Sequence, residues 1–349
     1  MEKVMSRKLI TISTIMTLMS TSVIADVPNV AADIAPIHSL VSRVMDGVGA
    51  PKLIVQSGAS PHGYRLRPSE AKALQDADHV FWMGEELTPW LDSAIGTLAS
   101  KASVTTLLDQ QGVILHDFRE GALFEAHDHS AHGDDDHDDH DDHDDHDDHK
   151  DHDDHDDHDD HDDHDDHDDH KDHDDHDDHG SQDPHAWLSP ENAKLWLNII
   201  ASKLSVSDPE NAATYFMNAA AGQAEIEAMI AEVKATLKPV QGGKFVVFHD
   251  AYQYFENDFD FYASGAISLG DSSDPSPARI EKVQKRIRDE GIQCVLAEPQ
   301  FKKGLVATVM EGSDATASVI DPLGAELETG PKLYTRLIKN MAKTLRNCL

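Results

Sequence analysis

The chain of 349 residues holds only two cysteines, Cys294 and Cys348, and no CxxC pair, which excludes a thiolate zinc knuckle and a dithiol redox motif. Positive charge is also scarce, 29 Lys and Arg against 66 Asp and Glu. The basic footprint that nucleic-acid binding requires is missing, so no nucleic-acid partner is expected. There is no HExxH, which removes the helical metalloprotease motif. Beyond the first residues no apolar run approaches the roughly 20 residues that a membrane span needs.

What is present begins with an address. Lys3, Arg7 and Lys8 precede the apolar run Leu9 to Ile24, and Val23-Ile24-Ala25 has the small residue of a cleavage site. Residues 1–25 are therefore read as a signal peptide and Asp26 as the first residue of the mature chain; the alternative is an uncleaved anchor. No cysteine stands at the cleavage point to accept lipid, so the expected destination is the periplasm. In an exported chain oxidation is permitted, and Cys294 and Cys348 read as one disulfide, the alternative being two buried thiols.

The net charge of −37 is concentrated. Asp134 to His179 contains 29 Asp and two Lys, leaving the remainder an ordinary acidic protein. In this tract every third residue is histidine: His137, His140, His143, His146, His149, His152, His155, His158, His161, His164, His167, His170, His173, His176 and His179. Lys150 and Lys171 are the only departures from Asp between them. With nothing apolar to bury, the run cannot offset a backbone ordering cost of about 1–2 kcal/mol per residue, and disorder is expected without metal. Neutral imidazoles suit zinc, copper and nickel, and the carboxylates raise the local cation concentration. The tract thus reads as a low-affinity metal pool or sensor, against a blander reading as a solvated low-complexity insertion.

Elsewhere short apolar runs alternate with helical patterns, which implies an α/β fold with parallel sheets covered by helices. Strands are expected at 30–34, 52–55 and 79–83, and helices at 39–45, from Pro68, and at 193–204. A long helix is expected from Asp208 as N-cap, with Pro209 in its first turn, to the stop at Pro239. Its apolar face carries Ile226, Ile230, Val233 and Leu237. Beyond it strands are expected at 244–248, 260–263, 293–297 and 318–320, with helices at 251–255, 277–290, 303–310 and from Pro331. The domain reading is an N-terminal α/β lobe over 26–207 with an insertion at about 126–181, a linking helix over 208–238, and a C-terminal α/β lobe over 240–349.

Six histidines lie outside positions 127–179: His38, His62, His79, His116, His185 and His249. His62 and His249 follow apolar strands, and open α/β sheets bind ligands at the carboxyl ends of their strands. His185 marks the return to structured sequence after the tract. Each taken singly is more often a structural or surface histidine. The segments GASPHGYRLRPSEAKAL, DPHAWLSPENAKLW and FVVFHDAYQYFE, with SVIDPLG near the end, resemble the zinc-receptor (ZnuA-like) members of the metal-binding subunits that serve bacterial ABC importers. The resemblance covers nearly all the mature chain, and an acidic, His-rich insertion before the second motif is a feature of that branch. It implies two parallel-sheet lobes joined by one long rigid helix, with the metal in the cleft between them. The family's ligand histidines fall on His62, His185 and His249, and similar members carry a cysteine pair placed like Cys294 and Cys348.

For the fourth position, relatives with Glu before the first ligand histidine differ from this chain, which has Pro61. Asp321 occupies a position used as a carboxylate ligand in manganese-type and some zinc-type relatives; water competes with it. Glu298 reads as a cleft-lining or ion-pairing residue; His38 also follows a strand but is not expected among the ligands, and His79 and His116 read as structural or surface groups. Three imidazoles and one oxygen make a tetrahedral zinc site, with Zn2+ as the transported ligand. The implied partner is an inner-membrane ABC permease, with no ATP bound by this chain and a monomer expected. Two rivals remain: a zinc-dependent hydrolase or lyase built on three histidines and water, for which Asp250 is the one obvious neighbouring base, and a standalone periplasmic metal buffer.

Overall fold

Strands of two to five residues, most of them rich in Val, Ile, Phe and Ala, form two parallel sheets in the computed structural model, which describes residues 27–119, 123–124, 182–268, 270, 275–300 and 303–349. The signal-peptide reading of 1–25 and the insertion at about 126–181, with the whole His/Asp tract, lie outside the described residues. The first half contains β1 (Val30–Ala32), α1 (Ala35–Val44), β2 (Lys52–Leu53), α2 (Pro68–Gln75), β3 (His79–Trp82), α3 (Pro89–Leu98) and β4 (Ser103–Thr106). Two helices follow, α4 (Pro190–Ser207) and α5 (Ala212–Leu237). The second half contains β5 (Phe245–His249), α6 (Gln253–Phe259), β6 (Ala266–Ser268), α7 (Pro277–Glu290), β7 (Cys294–Ala297), α8 (Lys303–Met310), β8 (Thr316–Val319) and α9 (Leu333–Cys348).

Both sheets have the same winding, β2-β1-β3-β4 and β6-β5-β7-β8, with all neighbours parallel. β1, β3 and β5 are buried along their whole length, as strands covered by helices on both faces must be. Each order reverses beside its first strand, between β1 and β3 and between β5 and β7. In such sheets the crevice beyond the carboxyl ends at the reversal is where ligands bind.

The reversal in the first sheet is already filled. Asp33, fully buried just after β1, accepts the backbone N–H of Ile34 and of Met83, each at 2.7 Å. Burial pushes its carboxyl up to about 7, against the pull of those two amides.

α5 runs 26 residues, roughly 39 Å at 1.5 Å per residue. Its buried face is Tyr215, Ala219, Gly222, Ile226, Met229, Val233 and Leu237, an i, i+3/i+4 stripe packed on α1, α4 and α9. Ile230 lies beside that stripe and is only partly buried. Gly222 permits the close approach of α4: a Cβ there would stand 2.9 Å from Leu197 Cδ1 and 3.1 Å from Arg43 Cγ. Asp208 does not cap α5 as expected. It ends α4, a 3-10 turn over Pro209–Asn211 intervenes, and its buried carboxylate accepts Asn211 Nδ2 at 2.8 Å and Tyr215 Oη at 2.7 Å.

Two further expectations shift. The strand expected at 260–263 lies at Ala266–Ser268, because Asp260 takes a left-handed conformation (φ 51°) that ends α6 and delays the return to the sheet. α3 and β4 had no counterpart in the sequence reading; β4 is half exposed and reads SVTT, too polar to stand out.

α9 closes the fold against α5 and α1, and Cys348 at its end is disulfide-bonded to Cys294, the first residue of β7, with a Cα–Cα distance of 5.5 Å. The bond closes a loop with a sequence separation of 54. A loop of this length restricts the unfolded chain by about 4 kcal/mol in the chain-entropy account. It joins the amino end of β7, opposite the carboxyl-end crevice. Replacing both cysteines by serine is therefore expected to lower unfolding free energy in urea by about 2–4 kcal/mol while leaving zinc affinity unchanged in a chelator competition titration.

Candidate metal centre

His62 sits in the loop between β2 and α2, and that loop is pinned at both ends. Trp90 Nε1 of α3 donates to the carbonyl of Pro61 at 2.7 Å. On the far side, Glu70 accepts Tyr64 Oη at 2.7 Å and the backbone N–H of Arg67 at 2.8 Å. His62 is half-buried, the most accessible of the three expected ligands; His185 and His249 are 4% and 3% exposed.

His249 is the last residue of β5. The parallel register pairs Val247 with Leu296, so two residues further along both strands His249 comes level with Glu298, just beyond β7. There His249 Nδ1 meets Glu298 Oε1 at 2.5 Å, and Glu298 is itself buried. His185 precedes a 3-10 turn, Ala186–Leu188, and its Nδ1 meets Asp183 Oδ1 at 2.6 Å; the same oxygen accepts the His185 backbone N–H at 3.0 Å. Burial pushes the Asp183 carboxyl up to about 6, against that backbone bond and the Arg119 charge. A carboxylate on Nδ1 sets the tautomer: the proton stays on Nδ1 and the lone pair of Nε2 points away from the carboxylate.

The two Nε2 atoms stand 3.4 Å apart. Two nitrogens each 2.0–2.1 Å from one tetrahedral zinc are separated by roughly 3.3–3.4 Å. The ring centroids of His185 and His249 are 5.2 Å apart, and those of His62 and His185 5.6 Å. All three rings line one cavity with Pro61, Trp187, Gln300, Pro322 and Leu323. Its volume of about 10 Å3 is that of roughly one water or one ion. Among the described residues no group of three or more His, Cys, Asp or Glu stands gathered closely enough to hold a metal ion. What the cavity offers is two imidazoles at ligand spacing and a third, wider and more exposed, on the loop after β2.

Asp321 is differently occupied. Its Oδ1 accepts the backbone N–H of Leu323 at 3.0 Å and of Gly324 at 2.8 Å, and its Oδ2 that of Ala325 at 2.6 Å. It lines a separate, larger cavity with Pro299, Val319 and residues of α9. His38 is buried in α1, its ring against the Pro51 carbonyl at 3.2 Å and the Ser42 hydroxyl at 3.4 Å. His79 bonds Ser207 Oγ at 2.6 Å at the amino end of β3, and His116 packs on Tyr254 with centroids 4.6 Å apart. Asp183 was not singled out from sequence, although its spacing in Asp183-Pro184-His185 is the available signal. Gln300 was missed too; its Nε2 donates to Glu298 Oε2 at 2.7 Å.

The sequence profile of the ZnuA family, described as zinc-uptake complex component A, periplasmic, matches residues 30–348. The high-affinity zinc uptake system protein ZnuA of Brucella abortus (strain 2308) is 49% identical over 320 residues, which cover 92% of this chain and 91% of that protein. The protein of the same name from Paracoccus denitrificans (strain Pd 1222) is 45% identical over 326 residues, 93% of each. A crystal structure of ZnuA has the same fold, with a TM-score of 0.66 at 20% identity, over 93% of this chain and 99% of that one. No helix among the described residues is long and apolar enough to cross a membrane. The crevice of three imidazoles thus lies in a chain matched over more than nine-tenths of its length, and the chain belongs to the ZnuA family of periplasmic zinc-uptake components.

Proposed function

We propose that the chain is the periplasmic receptor that captures Zn2+ on His62, His185 and His249 and delivers it, as a monomer, to an inner-membrane ABC permease. The observation that carries the ligand set is the convergence of two Nε2 lone pairs at 3.4 Å, each held from behind by a buried carboxylate. Two Nε2 atoms at this spacing share either a proton or a metal cation, and the carboxylate behind each ring favours positive charge between them. Nitrogen donors of this kind suit zinc and disfavour manganese, which prefers more oxygen. Water takes the fourth position, since both oxygens of Asp321 are engaged by the turn at 323–325.

The transport reading is favoured over the hydrolase reading by the fate of the nearby carboxylates. Asp183 and Glu298 hold imidazoles, and Asp250, the one neighbouring candidate base, is paired with Arg119. A hydrolytic site needs a base free to take a proton from zinc-bound water, and each of these groups is committed. The cavity between Pro61, Trp187, Pro322 and Leu323, about 10 Å3, is itself too small to enclose an organic substrate. The His/Asp tract adds many equivalent ligands on one stretch of chain, which yields several weak, exchanging sites; it serves as a low-affinity pool beside the tight one.

His62→Ala is expected to remove tight zinc binding in competition titration and, with it, zinc-dependent binding to the permease; wild-type affinity in this variant would exclude the three-imidazole site. Because each imidazole must be neutral to coordinate, wild-type affinity should fall by at least about tenfold from pH 7.5 to pH 5. Glu298→Gln keeps the shape but loses the charge behind His249, and is expected to weaken zinc by about 10–100-fold with the fold retained by circular dichroism. Deleting residues 134–179 should abolish the weak heats seen in calorimetry and leave one tight site; loss of the tight site in the deletion would contradict the two-tier division.

A further inference from the structure

The chain between the first sheet and the tract does not stay with its own half. At Ile114 it is tied to α4, whose Asn192 accepts the Ile114 N–H at 2.8 Å and donates to the Ile114 carbonyl at 2.9 Å. Two residues later it has crossed, and the N–H of His116 donates to Tyr254 Oη of α6 at 3.1 Å. Leu123 makes an isolated antiparallel bridge with Gly265, the residue before β6. The N–H of Phe124 donates to the Ser264 carbonyl at 3.3 Å, and Arg286 Nη2 of α7 donates to the carbonyl of Phe124 at 2.9 Å. The segment is a strap from one sheet-bearing half to the other.

Its fastening is Arg119. Nε donates to both oxygens of Asp250, at 3.0 and 3.1 Å, and Nη2 to Oδ1 of the same carboxylate. Nη1 donates to Glu256 Oε2 at 2.6 Å, and Nη2 reaches Glu256 Oε1 at 3.3 Å. The guanidinium lies 3.7 Å over the Phe124 ring. Asp250 and Glu256 are 2% and 1% exposed, so two buried carboxylates share one planar fork. Lysine could supply the charge but not the fork. Asp250 is also the residue that follows His249, and Glu256 begins the second turn of α6, so the grip fixes the turn that leaves the strand end bearing His249.

We infer that Arg119 is a positioning residue for the metal centre: by holding Asp250 and Glu256 from the strap, it sets the direction of His249 and so the rate at which zinc leaves. This rests on the three-imidazole reading. Arg119 makes no hydrogen bond to His249 itself and acts through the carboxylates it holds, Asp250 and Glu256. Coupling of this kind is reciprocal, so zinc must tighten the strap to the extent that the strap tightens zinc.

The test uses the full chain loaded with one equivalent of Co2+ or Zn2+, comparing wild type, Arg119→Lys and Arg119→Gln. Cobalt reports ligand geometry through its visible bands, which a purely structural role of Arg119 would leave unmoved in folded protein. Arg119→Lys is expected to shift and weaken those bands and to speed zinc release to a chelator by about tenfold, with Arg119→Gln further displaced. Wild-type bands and a wild-type release rate in both variants would overturn the proposal. Should Arg119→Gln not fold, hydrogen exchange on the wild type decides. Zinc should slow the amides of 117–119 and 123–124 along with those of 249–256; protection of 249–256 alone would overturn the coupling. Failure of the three-imidazole reading is separately visible, as absence of tetrahedral cobalt bands in the wild type itself.

Discussion

Two buried carboxylate–imidazole bonds, Asp183 to His185 and Glu298 to His249, are the constraint on which the centre depends. Each fixes a tautomer and a ring orientation, and together they aim two Nε2 atoms at one point from different halves of the chain. Neither histidine could do this alone, since a free imidazole rotates about two side-chain bonds. Burial makes the bonds strong, because no water competes for the carboxylate oxygens. It also makes them costly to break, since a carboxylate left without a partner at this depth has no solvent to turn to.

The surrounding fold serves to bring these pairs together. Parallel pairing of β5 with β7 sets His249 level with Glu298, and the reversal of strand order leaves the crevice open at that end. The helical layer of α1, α4, α5 and α9 joins the two halves through a shared core. Bonds across it are specific: Ser39 Oγ donates to the Gly330 carbonyl at 2.7 Å, and Trp187 Nε1 to the Pro322 carbonyl at 2.8 Å. With α5 running unbroken for 26 residues and packed on three other helices, a wide hinge opening would expose a large apolar face. Of the three proposed ligands, His62 is the one half-buried and carried by a loop, while His185 and His249 are buried.

How much of this the sequence disclosed follows from the distance over which each interaction acts. His62 and His249 stood out because apolar runs just before them mark strand ends, and the long helix stood out from the 3–4 spacing of Ile226, Ile230, Val233 and Leu237. The α/β alternation was legible for the same reason, and Cys294 and Cys348 paired as expected because only two cysteines exist. Glu298 as the partner of His249 was not legible: the two are 49 residues apart, and only the order of strands in the sheet makes them neighbours. Arg119 lies 131 residues from Asp250, in a stretch with no periodic pattern, and its role depends on a crossing that no local signal announces. β4 and β6 were missed or misplaced because three or four residues with Ser and Thr carry too little apolar pattern to separate a strand from a loop.

The measurement that bears most directly on the central claim is X-ray absorption at the zinc edge, on protein lacking residues 134–179 and loaded with one equivalent of zinc. Three imidazoles and one oxygen at about 2.0–2.1 Å are predicted. A first shell with fewer than three imidazoles, or one dominated by carboxylate oxygen, would contradict it.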